Sequence, residues 1–197
     1  AANVLSKLED YLQTEWPELD VYLTSVTDHY STASICGPNS KKILNKLFPN
    51  LDLSDENFPH MSFKEDKLEN INCRIMRISF TGELSYEINI ESKYGHSLWK
   101  MCIEAGKEFN LTPYGTETMH LLRAEKGFII VGQDTDGTMT PSDLQMDWIV
   151  SKKKYDFIGK RSLYRSDTIR EDRKQLVGLL TDDPKEILEE GAQIVSD

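Results

Sequence analysis

Basic charge is scarce in this chain. Its 197 residues hold 23 Lys and Arg against 33 Asp and Glu, a formal net charge of -10 at pH 7. Nucleic-acid binding draws on clustered Lys and Arg, so the balance argues against that class of partner. The one basic run, Ser151-Lys152-Lys153-Lys154, is short and reads as a solvated turn. Long apolar runs are also missing. Nothing approaches the ~20 apolar residues of a membrane helix, and no signal-peptide pattern opens the chain. Cysteine is sparse and odd in number: Cys36, Cys73 and Cys102 leave one thiol over in any disulfide scheme. That fits a reducing cytoplasm, with each thiol a small core hydrophobe.

The motifs of several chemistries are absent as well. His29, His60, His96 and His120 lack metal-ligand spacing, and none pairs with a cysteine. No G-x-G-x-x-G, P-loop or G-x-S-x-G elbow occurs, which removes support for dinucleotide, nucleoside triphosphate and serine-hydrolase folds. Asp134-Thr135-Asp136-Gly137 begins like a calcium loop. Gly137 comes two positions early, however, and Gln145 stands where a bidentate glutamate is needed.

What is present is an ordinary globular composition, 39% hydrophobic and 28% charged, on a chain long enough to bury a core. Helical spacing of apolar residues runs from Asn3 to Trp16, before Pro17. Val21–Val26 and Ser31–Cys36 read as strands, and Lys41–Phe48 as a helix closed by Pro49-Asn50. Leu51–Asn70 reads as polar and irregular. A long strand is expected over Ile71–Thr81, with a bulge where the alternation changes phase between Ile75 and Met76. Tyr86, Ile88 and Ile90 make the return strand. Helices follow at Lys93–Phe109 and Thr116–Lys126, with a short strand at Leu111–Tyr114 between them. Further on, strands are expected near Asp147–Ser151 and Gln175–Leu180. A helical turn is expected at Ser162–Arg165, and a hairpin through Gly191-Ala192 to Ile194-Val195. The class is α+β, with a ferredoxin-like antiparallel sheet.

Two dense runs stand out, Phe80-Thr81-Gly82-Glu83-Leu84-Ser85-Tyr86-Glu87 and Tyr114 to Gly127. Glu87 is in phase with Ser85, Asn89 and Glu91, opposite Tyr86, Ile88 and Ile90. It is either a solvent-facing strand carboxylate or the anchor of a cleft. In the second case it accepts two parallel hydrogen bonds from an N–C–NH₂ edge, as in a pterin or guanine. Trp148 reads as a core residue by default, or else as a stacking platform.

These runs carry a resemblance. Phe80–Glu87, Arg123-Ala124-Glu125-Lys126-Gly127 and Gly132–Pro141 resemble the aminomethyltransferase (glycine-cleavage T-protein) superfamily. Leu12–Pro17, Leu23–Thr27, Phe157–Leu163 and Arg173–Leu180 place the resemblance closest to the branch of bacterial heterotetrameric sarcosine oxidase alpha subunits. It implies tetrahydrofolate as the bound cofactor, taking up the one-carbon unit from sarcosine demethylation as 5,10-methylenetetrahydrofolate. It places Glu87, Phe80, Trp148 and Tyr86 at the folate, and implies no metal. The partners implied are the other oxidase subunits, with flavins and NAD held on parts of the complex outside this chain. Met119 stands where T-proteins carry an arginine, which favours the oxidase branch over T-protein chemistry.

The superfamily's catalytic aspartate would lie upstream of Ala1, so catalytic residues here are unknown and the chain alone is expected to be inactive. It reads as a fragment in three parts: 1–130, ferredoxin-like; 131–170, connecting; and 171–197, the start of a C-terminal β-barrel whose strand edges are unpaired. The alternatives are a subunit-docking module without ligand binding of its own and a fragment of a dimethylglycine-dehydrogenase-like enzyme or of a T-protein aminomethyltransferase.

Overall fold

The computed structural model describes residues 1–193 and Val195. The chain divides into two compact units, Ala1–Phe128 and Ile129–Asp197. In the first, the elements run α1 (Ala2–Thr14), β1 (Tyr30–Cys36), α2 (Ser40–Leu47), β2 (Phe63–Leu68), β3 (Ile71–Met76), β4 (Ser85–Glu91), α3 (Gly95–Gly106) and α4 (Thr116–Glu125). The four strands form one antiparallel sheet in the order β1-β4-β3-β2. The α+β class and the antiparallel sheet are as expected.

The connectivity is not. The chain runs β-α-β-β-β-α, whereas a ferredoxin-like unit runs β-α-β-β-α-β. Neither Val21–Val26 nor Leu111–Tyr114 pairs as a strand, and a strand appears inside the supposedly irregular 51–70 segment. That strand, Phe63-Lys64-Glu65-Asp66-Lys67-Leu68, lies on the sheet edge, where charges discourage pairing with another chain. Its charge is what hid it. The expected bulge is absent too: β3 pairs with β4 without interruption from Cys73↔Ile90 to Met76↔Glu87. The phase change at Met76 marks the end of the strand, since Ile78 and Phe80 lie beyond it.

Alternation along each strand builds two faces. Ala33, Ile35, Cys73, Ile75, Tyr86, Ile88 and Ile90 point into the core, which α2 closes with Ile43 and Leu44, and α3 with Leu98, Cys102 and Ala105. Burial pushes the Cys102 thiol up to about 11, so it packs as a hydrophobe. Gly106 matters here, because a Cβ on it would sit 2.4 Å from Leu111 Cβ. Tyr86 is wholly buried, its ring 5.7 Å from that of Phe58, and its hydroxyl has no hydrogen-bond partner among the described residues. Tyr86→Phe is therefore expected to leave stability unchanged or raise it by up to about 1 kcal/mol, since an unsatisfied buried hydroxyl is costly. Urea denaturation measures this, and a loss above ~1 kcal/mol would reveal a bound water or other partner.

The second unit has no strand among its described residues. Asp147–Ile149 and Lys160–Tyr164 are 3₁₀ turns, so the strand expected at Asp147–Ser151 is a helical turn. Gln175–Leu180 carries no sheet pairing. It is tied locally, with Leu176 N–H donating to Asp143 O at 2.8 Å and Gln145 Nε2 to Leu176 O at 3.0 Å. The barrel start expected here is accordingly not seen. In the hairpin, Ile194 lies outside the described residues.

The unit is organised around Asp143, which is 2% exposed. Arg173 grips its carboxylate with Nε at 2.8 Å and Nη2 at 2.7 Å, and Thr140 adds its backbone N–H and hydroxyl. Arg173 also donates to Thr138 O and pairs with Asp167. The calcium-like loop is closed by the same kind of local bonding: Asp134 accepts from Ile130 N–H, and Asp136 from Thr138. Among the described residues, no group of three or more His, Cys, Asp or Glu is placed to hold a metal ion. None of the helices is long and apolar enough to cross a membrane.

Candidate functional site

The sheet face opposite the core is polar. In β1 it presents Thr32 and Ser34, in β3 Arg74, and in β4 Ser85, Glu87 and Asn89. Glu87 sits in register between Ser34 on one side and Met76 on the other. The sequence places it there by simple alternation with Tyr86 and Ile88, both of which the core claims. Its carboxylate is half-buried and has no hydrogen bond or ion pair among the described residues. Burial pushes its pKa up, because charge is disfavoured where water is partly excluded.

The neighbours of Glu87 are mostly satisfied by one another. Thr32 donates to Asn89 Oδ1 at 2.7 Å, and Asn89 Nδ2 to Arg74 O at 3.4 Å. Arg74 is engaged by Glu65 at 2.9 Å. The Ser34 and Ser85 hydroxyls share a hydrogen bond of 3.3 Å.

The strand-turn-strand reading of Phe80–Glu87 needs adjustment. Residues 77–84 form an irregular connection that enters β4 only at Ser85. Gly82 adopts a φ of +77°, and a Cβ there would lie 2.7 Å from Lys126 Cγ. Glu83 pairs with Lys126 at 3.2 Å, which ties this connection to the end of α4. Phe80 is 43% exposed, with its ring 6.5 Å from that of His120. It is flanked by two buried hydroxyls, Ser79 and Thr81, which lack hydrogen-bond partners among the described residues.

Tyr86 does not join Glu87. It points into the core from the other face of β4, so it supports the site through packing and offers no surface to a ligand. Trp148 belongs to the second unit. It is 79% exposed rather than in a core, available for stacking and unsupported by packing.

Sequence reasoning missed a cavity of about 810 Å³ beside β1. Ile35, Trp99, Ile103, Leu111, Met119 and Leu122 give it apolar walls, and Ser34 and Cys36 stand on its β1 side. Cys36 Sγ lies 3.1 Å from Tyr114 Oη, and burial raises the tyrosine's pKa. The only sequence signal was the polar–apolar alternation of Thr32-Ala33-Ser34-Ile35-Cys36.

A helix-backed antiparallel sheet with a bare carboxylate on its polar face makes the first unit an α+β domain. More specifically, the chain belongs to the GCVT N-terminal domain family, whose sequence model matches residues 1–154. It is 58% identical over its full length to sarcosine oxidase subunit alpha of Corynebacterium sp. (strain P-1), of which it spans 20%. It is also similar to an aminomethyltransferase of Halothermothrix orenii, at 35% identity over 71% of this chain and 38% of the relative. Human mitochondrial dimethylglycine dehydrogenase is 34% identical over 73% of the chain. The chain thus covers about a fifth of the oxidase subunits it matches.

Proposed function

We propose that this chain is the tetrahydrofolate-binding part of a sarcosine oxidase alpha subunit, where the one-carbon unit from sarcosine demethylation is taken up as 5,10-methylenetetrahydrofolate. The observation that carries the reading is the half-buried carboxylate of Glu87, unpartnered among the described residues on a face whose other groups mostly satisfy one another. An isolated buried charge is costly, and a ligand that donates two hydrogen bonds removes the cost. A pterin presents such an edge through its ring N–H and 2-amino group. Phe80 would provide aromatic surface for the bound folate.

Folate binds and orients in this reading, while flavin, NAD and catalysis belong to other parts of the complex. The similarity of the whole chain to a fifth of an oxidase subunit supports the oxidase branch over free aminomethyltransferases, which match a smaller share of the chain. A subunit-docking role is the second reading. It is favoured by the outer edge of β1, which pairs with no strand among the described residues, and by the apolar cavity beside it.

Calorimetric titration of the chain with 5-formyltetrahydrofolate, a stable folate, separates the two readings. Saturable one-to-one binding is expected. Absence of heat and of any shift in melting temperature at millimolar folate would leave the docking role.

A further inference from the structure

Of the hydroxyls that Thr32, Ser34 and Ser85 place on this sheet face, one has a hydrogen left to give. Thr32 spends its own on Asn89. Ser85 is buried at 3% exposure, and Ser34 is the one partner of its hydroxyl among the described residues. Were Ser34 the donor in that pair, the buried Ser85 hydrogen would have no acceptor, an arrangement native structures avoid. Ser85 therefore donates to Ser34. The exposed Ser34 keeps its hydrogen free, and a hydroxyl that already accepts is the better donor.

The register fixes where that hydrogen is offered. Gly37 N–H donates to Leu84 O at 2.9 Å, which makes 37/84 a hydrogen-bonded pair and, three residues along, Ser34/Glu87 a non-hydrogen-bonded one. Side chains of such pairs stand closest, with Cα atoms about 4.5 Å apart. A single donor thus stands directly beside two carboxylate acceptors.

We propose that Ser34 is a specificity residue of the Glu87 site, donating to a ring carbonyl next to the N–H and amino groups that Glu87 accepts. This rests on the small-molecule reading of Glu87 and narrows its ligand to 2-amino-4-oxo heterocycles. Ligands with an amino group at the 4-position lack both the carbonyl that takes the Ser34 hydrogen and the adjacent ring N–H that Glu87 accepts, and are disfavoured.

The test titrates the chain with folic acid, which carries the 4-oxo group, and with its 4-amino analogue aminopterin. Ser34→Ala is expected to weaken folic acid roughly five-fold, the net worth of one neutral hydrogen bond, and aminopterin less than two-fold. Ser34→Thr keeps the hydroxyl and should restore the preference, which a merely structural role would not require. Equal effects of Ser34→Ala on both ligands, or none on either, overturn the role of Ser34. If instead Glu87→Ala binds folic acid as the parent does, or the parent binds neither ligand, the underlying reading of Glu87 fails.

Discussion

Glu87→Ala should lower the affinity of this chain for folate by about ten- to a hundred-fold, as expected for loss of hydrogen bonds to a charged group worth 1.5–3 kcal/mol. The large effect follows from isolation. Glu87 has no ion pair or hydrogen bond among the described residues, and its neighbour Arg74 is engaged by Glu65. Glu87→Gln should fall between, because an amide retains one acceptor and adds a donor that opposes the ligand's.

The same substitution is expected to stabilise the empty protein. Burial raises the carboxyl's folded pKa above its unfolded value. Such a group favours folding below the unfolded pKa and loses that contribution as pH rises through the folded one, so at neutral pH the ionised Glu87 is a cost. Glu87→Gln removes it. Thermal melts at pH 7.5 should show the Gln variant at or above the parent without ligand, and below it with saturating folate. Folate affinity itself should fall as pH drops into the range where Glu87 takes up a proton. A pH-independent affinity between pH 4.5 and 7.5 would remove the carboxylate from the contact.

The second large effect concerns stability. Asp143→Ala removes the group that Arg173 and Thr140 converge on, leaving the guanidinium with its Asp167 pair and the carbonyls of Thr138 and Asp167. We expect a loss of about 2–3 kcal/mol in the stability of the second unit, as when one partner of a shielded, multiply bonded charge pair is deleted. Asp143→Asn should lose less, since it keeps the shape and one acceptor.

The pH dependence has the opposite sign to that of Glu87. The Arg173 guanidinium, followed by the Thr140 bonds, holds the Asp143 carboxyl well below the usual carboxylate range. Its contribution is complete above the unfolded carboxyl's pKa and is lost as pH falls toward the folded one. Hydrogen exchange of Leu176 N–H, which donates to Asp143 O, reports the local effect. Protection there that is unchanged in Asp143→Ala would show that the pair does not hold the segment.

Much of the first unit was legible because its signals are local. Alternation in Tyr86-Glu87-Ile88-Asn89-Ile90 assigned the faces of β4 correctly, and helical spacing found α2, α3 and α4 to within a few residues. The failures have a common cause. Val21–Val26, Leu111–Tyr114 and Gln175–Leu180 have strand-like composition but no pairing partner, while the charged β2 has a partner in β3 and so becomes a strand. Strand formation depends on a neighbour that composition does not reveal. Trp148 illustrates the same limit, since apolar neighbours in sequence suggested a core that the fold does not build around it.

The sequence by itself determined that Glu87 stands on a polar strand face opposite a core-bound Tyr86, because a period of two admits no other arrangement. It also determined the absence of metal and phosphate motifs. Only the tertiary structure decided that Ser34 faces Glu87, 53 positions further along the chain, since register is set by β1 docking antiparallel on β4. It decided too that Thr32 bonds Asn89 and that Glu65 engages Arg74, which leaves the carboxylate bare. A lone carboxylate is a statement about neighbours in space, and those neighbours come from three different strands.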